Sequence, residues 1–336
     1  MSDHFTSSDK WLVLQKFGTV GDMVFCLQAI HAIAAQAPQG RITLACPYPE
    51  IVGGLFLDDP AVEQIIRVQR DDFIGRVRNI GVLRKGGYRR SWLLGKNSSF
   101  TYILFLSGIK ERLGYGYDWL QRITLTRTLY RALPLPVPRG EAEKSWAFLK
   151  AQGIPWAPEG KKPVLSAARL QAVRHQYAAY PRPWVALGIG AGRPWRCWPV
   201  AHWVTLAKAL FSETGTVFLC GGWQDKEKAH AVAAQFGDTP TVVPVIGESL
   251  ATVSCLFHYI DLFVGNDSGL FNLAAVIEAC PVVGLFWASP VLTCHPQMIP
   301  VVPEGGMSSM AALSPALVLT TLHRRGLVPV VHLGAL

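Results

Sequence analysis

The chain has 336 residues, of which half are hydrophobic and only 16% charged; 32 Lys and Arg stand against 23 Asp and Glu, a net charge of +9. That length accommodates two domains of ~150 residues, each with its own core. No run reaches the ~18 uncharged apolar residues of a membrane span, because Phe100–Ile109 is too short and the stretch after Leu270 is broken by Glu278 and Pro281, so a membrane-spanning helix is excluded.

In chain order, Trp11–Phe17 reads as a first strand, Gly18-Thr19-Val20-Gly21-Asp22 as a glycine turn, and Met23–Ala37 as a helix ended by Pro38 and Gly40. Arg41–Cys46 is the next strand, so the chain opens on a βαβ unit. Ile51–Leu57 suits a short helix and Val62–Val68 a third strand. From Arg70 to Lys96 the pattern is basic, dotted with glycine and aperiodic, which predicts loops around a short helix. Tyr102–Leu106 predicts a strand, Gly114–Tyr117 a turn, Arg122–Leu133 a loop with some helix, and Ala142–Lys150 a helix. The prolines of 134–138 and 155–163 mark a boundary, after which Ser166–Tyr180 reads as a helix broken by Pro181-Arg182-Pro183.

The second half alternates again. Strands are predicted at Trp184–Ile189, Thr216–Cys220, Val242–Val245, Ile260–Val264 and Pro281–Phe286, with helices at Val200–Glu213, Lys226–Phe236 and Leu270–Ala279. Strands alternating with helices in both halves predict an α/β chain of two doubly wound, Rossmann-like domains facing each other, at 1–165 and 166–336. The final helix could return to the first domain.

Turns at the strand ends concentrate the polar residues. Asn266-Asp267-Ser268-Gly269 opens a helix directly after a strand, so unpaired backbone N–H groups and the positive end of the helix dipole collect where a phosphate could sit; an Asp or Ser N-cap alone would look the same. Gly188, Gly190 and Gly192 approach the dinucleotide fingerprint, but Arg193 takes the third glycine's place and Pro194-Trp195 intervene before any helix. This argues against a nicotinamide cofactor. Asp22, at the first strand–helix turn, either caps its helix or faces the crevice beyond the strand.

The charge is uneven: residues 1–170 carry 23 Lys and Arg against 14 Asp and Glu, whereas 171–336 carry nine of each. Nine of the cations fall within 67–96, at Arg67, Arg70, Arg76, Arg78, Arg84, Lys85, Arg89, Arg90 and Lys96, which points to an anionic partner. No recognition motif accompanies them, so nucleic acid is not expected. Seven cysteines without a C-x-x-C, and nine histidines without a close pair, predict a reduced compartment with no metal and no cofactor. The opening MSDHFTSSDK has neither a basic nor an apolar leader region, and a cytoplasmic location is expected.

GNDSGLFNLAAV followed by PVVGLFWASP resembles the donor-site signature of the bacterial lipopolysaccharide heptosyltransferases, glycosyltransferase family 9, which usually reads D-S-G-x-M-H-L-A-A before an apolar strand ending in Phe-Gly. Asp267, Ser268, Gly269, Leu273, Ala274 and Ala275 match; Phe271-Asn272 stand where Met-His is usual, and Trp287 where Gly is usual. Arg196-Cys197-Trp198-Pro199 resembles the family's K-x-W-P with Arg for Lys, Gly221-Gly222-Trp223-Gln224-Asp225 its G-G-x-x-E, and Gly21-Asp22 its G-D.

The resemblance implies a GT-B fold and an inverting, metal-independent transfer from a nucleotide-diphospho-sugar, ADP-heptose, to an anionic glycolipid such as a lipopolysaccharide core. It implies Asp22 as catalytic base, the donor pyrophosphate at Asp267, Ser268 and Gly269, and Arg196 neutralising that pyrophosphate. Asp225 is then expected to accept from ribose hydroxyls, and Asn272 to touch the donor where the family has His. For the acceptor the resemblance supplies no matching residue. Charge alone nominates Arg67, Arg70, Arg84, Lys85, Arg89 and Arg90, at the cytoplasmic surface of the inner membrane. Two alternatives stay open: a glycosyltransferase using another nucleotide sugar or a protein acceptor, and a binding protein that has lost catalysis.

Overall fold

Short runs of Val, Leu, Ile and aromatic residues, buried on both faces, become parallel strands in both halves of the chain. The computed structural model describes residues 9–16, 19–69, 72–95, 98–129, 141–155, 162–211, 215–237, 241–287, 291, 297–303 and 309–328. Two units divide the chain, Met1–Val164 and Leu165–Leu336.

In chain order the first unit contains β1 (Lys10–Gln15), α1 (Val20–Gln36), β2 (Ile42–Cys46), α2 (Pro49–Val52), β3 (Val62–Arg67) and α3 (Phe73–Gly86). It continues with β4 (Tyr88–Leu94), α4 (Ser98–Leu106), β5 (Glu111–Gly114), α5 (Trp119–Thr124), β6 (Arg127–Thr128) and α6 (Glu141–Ala151). Its six strands are parallel in the order β3-β2-β1-β4-β5-β6. Helix α6 packs on α1, and α4 touches both α3 and α5.

The second unit holds α7 (Ala167–Gln176), β7 (Trp184–Gly188), α8 (Val200–Phe211), β8 (Thr216–Gly221), α9 (Lys226–Ala233) and β9 (Val242–Ile246). After these come α10 (Leu250–Phe257), β10 (Leu262–Asn266), α11 (Gly269–Ile277), β11 (Val282–Leu285), β12 (Met298–Val301) and α12 (Pro315–Arg324). Here the parallel order is β12-β11-β10-β7-β8-β9. The final helix α12 packs on α8 and β12, where Val318 and Leu322 join Trp203 and Leu206 in the core of this unit.

Counted within its own unit, each sheet has the order 3-2-1-4-5-6, and the direction of winding reverses between β1 and β4 and again between β7 and β10. The expected doubly wound α/β architecture is therefore present twice. Ligands of such sheets bind beyond the carboxyl ends of the strands at the reversal point, so the loops after β1, β4, β7 and β10 are the places to look.

Two local expectations fail. Tyr102–Leu106 lies in helix α4, not a strand, burying Phe100, Thr101, Ile103 and Leu104 and exposing Phe105 and Leu106. An apolar run of five residues cannot distinguish a strand from one turn of buried helix. The segment expected to be loops around a short helix holds a 14-residue helix and, in β4, a central strand of the sheet. β4 carries two arginines directly after its first residue, Tyr88, because both have partners there: Arg90 lies 4.3 Å over the Trp11 ring and pairs with Glu111 of β5, and Arg89 reaches Asp9 at 2.8 Å.

Candidate functional site

At the reversal point of the second unit, β10 ends on Asn266, which has no solvent exposure. Its side-chain oxygen accepts from the backbone N–H of Trp198 at 3.0 Å, while its amide nitrogen donates to the carbonyls of Ile189 at 3.0 Å and Gly190 at 3.4 Å. One side chain thus ties the glycine loop after β7 and the turn before α8 to the tip of β10. Sequence reasoning took Asn266 for a turn residue; its place as the last residue of an otherwise apolar strand was the available signal.

Asp267 follows, almost buried, and Arg196 Nη1 approaches its Oδ2 at 3.1 Å. Arg196 comes from the short 3-10 turn Pro194–Arg196, and its guanidinium also lies 4.8 Å over the Trp195 ring, which packs edge-on against Trp287. Carboxylate, indole and turn hold the cation in one orientation. Ser268 caps α11, accepting from the N–H of Phe271 at 3.3 Å, and Gly269 is the first helical residue. Asn272, one turn into α11, is buried; its Oδ1 and the Nε of Arg196 have no hydrogen-bond partner among the described residues. A buried polar atom left unpaired costs ~1–3 kcal/mol, so these two make the start of α11 a candidate ligand site.

Asp225 is 1% exposed. Its Oδ2 accepts from the Gly222 N–H at 3.1 Å and its Oδ1 from Lys228 Nζ at 2.9 Å, so the carboxylate serves the turn after β8 from within. Burial pulls the Lys228 ammonium pKa down, but the hydrogen bond and charge of Asp225, with Cys197 beside it, outweigh this and leave it raised. Gly190 makes this packing possible, since a Cβ there would sit 2.1 Å from Asp225 Oδ2. In the structure the Asp225 carboxylate is engaged by Gly222 and Lys228 and shapes the loop at the strand end where the donor was expected. The exposed member of the turn is Trp223, whose ring lies over Gly247.

In the first unit, α1 starts from Thr19, whose oxygen accepts from the Asp22 N–H at 3.3 Å and whose hydroxyl donates to Asp22 Oδ2 at 2.5 Å. Asp22 is partly exposed in the first turn of the helix, beyond the carboxyl end of β1. It takes part in the capping hydrogen bonds, and its position is that of a reversal-point residue.

The six nominated acceptor cations do not form one cluster. Arg67, at the carboxyl end of β3, bonds Glu50 at 2.5 Å and the Pro47 carbonyl at 3.1 Å, and Arg70 lies outside the described residues. Arg89 and Arg90 lie at the other end of the sheet: β4 starts beside Lys10 and Trp11, whereas the end of β1 that leads to Asp22 pairs Gln15 with Leu94. Leu94 is four residue steps along the strand from Arg90, about 13 Å. Arg84 and Lys85, in the last turn of α3, precede this same far end, and Arg84 donates to the Leu106 carbonyl at 2.7 Å. Arg84, Lys85, Arg89 and Arg90 are therefore removed from the reversal-point site; charge density along the sequence does not report which end of a strand a residue occupies.

The loops of the second unit lie within residues 94–298, which match the family model for glycosyltransferase family 9 (heptosyltransferase). The chain belongs to glycosyltransferase family 9. It is 27% identical over 288 residues to lipopolysaccharide heptosyltransferase 2 of Salmonella typhimurium, with 80% of each chain covered, and 27% identical over 283 residues to the Escherichia coli protein of the same name. Its structure is similar to that of E. coli ADP-heptose lps heptosyltransferase II, with a TM-score of 0.75 and 24% identity over 94% of this chain and 98% of that one. A family 9 glycosyl transferase from Veillonella parvula gives a TM-score of 0.77 and 17% identity, with 95% and 98% covered. The fold is thus the GT-B fold of these enzymes, and the family membership makes this chain a glycosyltransferase. Asp22 lies outside the residues matched by the family model, whereas Arg196, Asp225, Asn266, Asp267 and Asn272 lie inside them.

Proposed function

We infer that the chain transfers heptose from ADP-heptose to a lipopolysaccharide core or a similar anionic glycolipid, inverting the anomeric centre without a metal ion. What carries this reading is the Arg196–Asp267 pair at the start of α11, with the unpaired Asn272 Oδ1 and Arg196 Nε beside it, in a family whose curated relatives are lipopolysaccharide heptosyltransferases. The donor's pyrophosphate sits over Ser268 and Gly269, where the helix dipole and free N–H groups favour an anion. Arg196 directs its remaining N–H groups at the phosphates and takes up the charge that grows on the nucleoside diphosphate as it leaves. Asn272 offers its amide to the donor; Asp225 and Asn266 act by holding the surrounding loops.

Asp22 removes the proton from the acceptor hydroxyl, whose oxygen bonds to the anomeric carbon as the bond to the diphosphate breaks. The hydroxyl of Thr19 orients the carboxylate. The acceptor is presented at the cytoplasmic surface of a membrane, with Arg67, at the carboxyl end of β3, on the side of the sheet that meets its anionic groups.

A second reading has one specific observation in its favour. Asn272 and Trp287 replace the usual His and Gly, which suits a different sugar on the same nucleotide diphosphate. Incubating the protein with a heptose-acceptor core and a panel of nucleotide sugars, with release of nucleoside diphosphate as the readout, tests both. Consumption of ADP-heptose alone, only when acceptor is present, supports the first reading. Turnover of another nucleotide sugar in its place transfers the assignment, and absence of turnover with every donor overturns it.

A further inference from the structure

Helix α3 is built inside out. Its inward side is narrow: Gly75, Asn79 and Leu83 are buried, and Asn79 pins the helix by accepting from the Gln69 N–H at 2.8 Å and donating to the Gln69 carbonyl at 3.2 Å. The outward half carries Phe73, 80% exposed, with Ile74 at 63%, Val77 at 55% and Val82 at 45%. Arg78 and Lys85 share that half, and no acidic residue lies in the helix. A solvated helix face is normally polar and of mixed charge, so four large apolar side chains accompanied only by cations need an occupant. On the same helical layer, Trp119 and Ile123 of α5 are also exposed, at 71% and 65%.

We propose that the outward face of α3 docks on an anionic lipid bilayer. Three features choose this occupant. The face is the outer side of one helix, about 21 Å long for its 14 residues, a shape that a bilayer surface accepts without any matching groove. All charges within the helix are positive, and the one acid beside it, Asp72, is occupied in capping the Gly75 N–H, so the face complements anionic headgroups and would repel a second copy of itself. The net positive charge of the chain lies in its first half, 23 Lys and Arg against 14 Asp and Glu over residues 1–170, so the long-range field also favours approach by this side. No described helix is long and apolar enough to cross a membrane.

Because α3 follows the carboxyl end of β3, its Phe73 end lies at the same end of the sheet as Asp22. Docking would hold the reversal point of the first unit at the level of lipid headgroups. That functional meaning rests on the glycolipid-acceptor reading above, but the docking itself does not.

The test is co-sedimentation of the full chain with vesicles of phosphatidylcholine alone and of phosphatidylcholine mixed with phosphatidylglycerol. Wild type is expected to bind the mixed vesicles and to be released by salt. The triple variant Phe73→Ser, Ile74→Ser, Val77→Ser should bind at least tenfold more weakly. Arg78→Gln with Lys85→Gln should weaken binding about tenfold and flatten its salt dependence. All of these side chains are exposed, so both variants should retain the wild-type melting temperature and nucleoside diphosphate affinity. Wild type remaining in the supernatant, or a triple variant that binds like wild type, overturns the proposal. So does a wild-type dimer that the triple variant dissociates without loss of vesicle binding, since the face would then belong to a second copy. Vesicle binding by a chain with no affinity for any nucleotide sugar would sink the donor reading and leave the docking face standing.

Discussion

The two sheets share one strand order and differ in what surrounds their reversal points. In the second unit the loops after β7 and β10 are knitted together from within: Asn266 bonds three backbone groups, Asp225 fixes the next turn, and Arg196 is held by Asp267 and Trp195. Only a few polar atoms are left over. In the first unit Asp22 is partly exposed at a short cap, and the cations around it are dispersed. The same topology therefore carries a tightly bonded set of loops at one reversal point and a sparsely bonded strand end at the other.

The largest effect that would break this contrast is catalytic. Asp22→Asn keeps an acceptor for the Thr19 hydroxyl but removes the base, so transfer should fall by about 10²–10⁴ with donor affinity unchanged. Wild-type turnover in this variant would remove Asp22 from the mechanism. Next comes stability in the second unit. Asn266→Ala leaves the Trp198 N–H and two carbonyls without their partner and should cost about 2–4 kcal/mol in chemical denaturation, with weaker nucleotide binding. A cost under about 0.5 kcal/mol would show that the loops are not tied through this residue.

Arg196→Ala should reduce nucleoside diphosphate affinity about ten- to a hundredfold by calorimetry, as expected for loss of a charge-assisted contact to phosphate. An unchanged dissociation constant would reassign Arg196 to a structural pair with Asp267. The smallest effect is expected at the far end of the first sheet. Arg89→Gln with Arg90→Gln breaks partly exposed pairs with Asp9 and Glu111, worth up to about 1 kcal/mol each, and should leave the acceptor KM within about twofold of wild type. A large rise in KM would return these arginines to the acceptor site.

Much of the second unit was legible in the sequence because its strands and helices are short, buried and separated by Gly and Pro. Arg196, Asp267, Ser268 and Gly269 meet there because a strand–turn–helix unit leaves them no other place. The first unit was harder for two physical reasons. Helix α3 puts its large apolar residues on the outer face and Gly75 and Asn79 on the inner one, so no amphipathic period marks it, and the strand that follows carries near its start Arg89 and Arg90, whose partners, Trp11 and Glu111, come from neighbouring strands. Neither the end of the sheet nor the burial of Asp225 is encoded in local composition. Both follow from which strands lie side by side.

Hydrogen–deuterium exchange of the full chain with and without ADP reads every loop in one measurement. Slowed exchange is expected to be confined to residues 189–198, 222–225 and 266–272, with the loop after β1 unchanged. Protection centred on residues 84–90, or none in the loops after β7 and β10, would contradict a donor site at the start of α11.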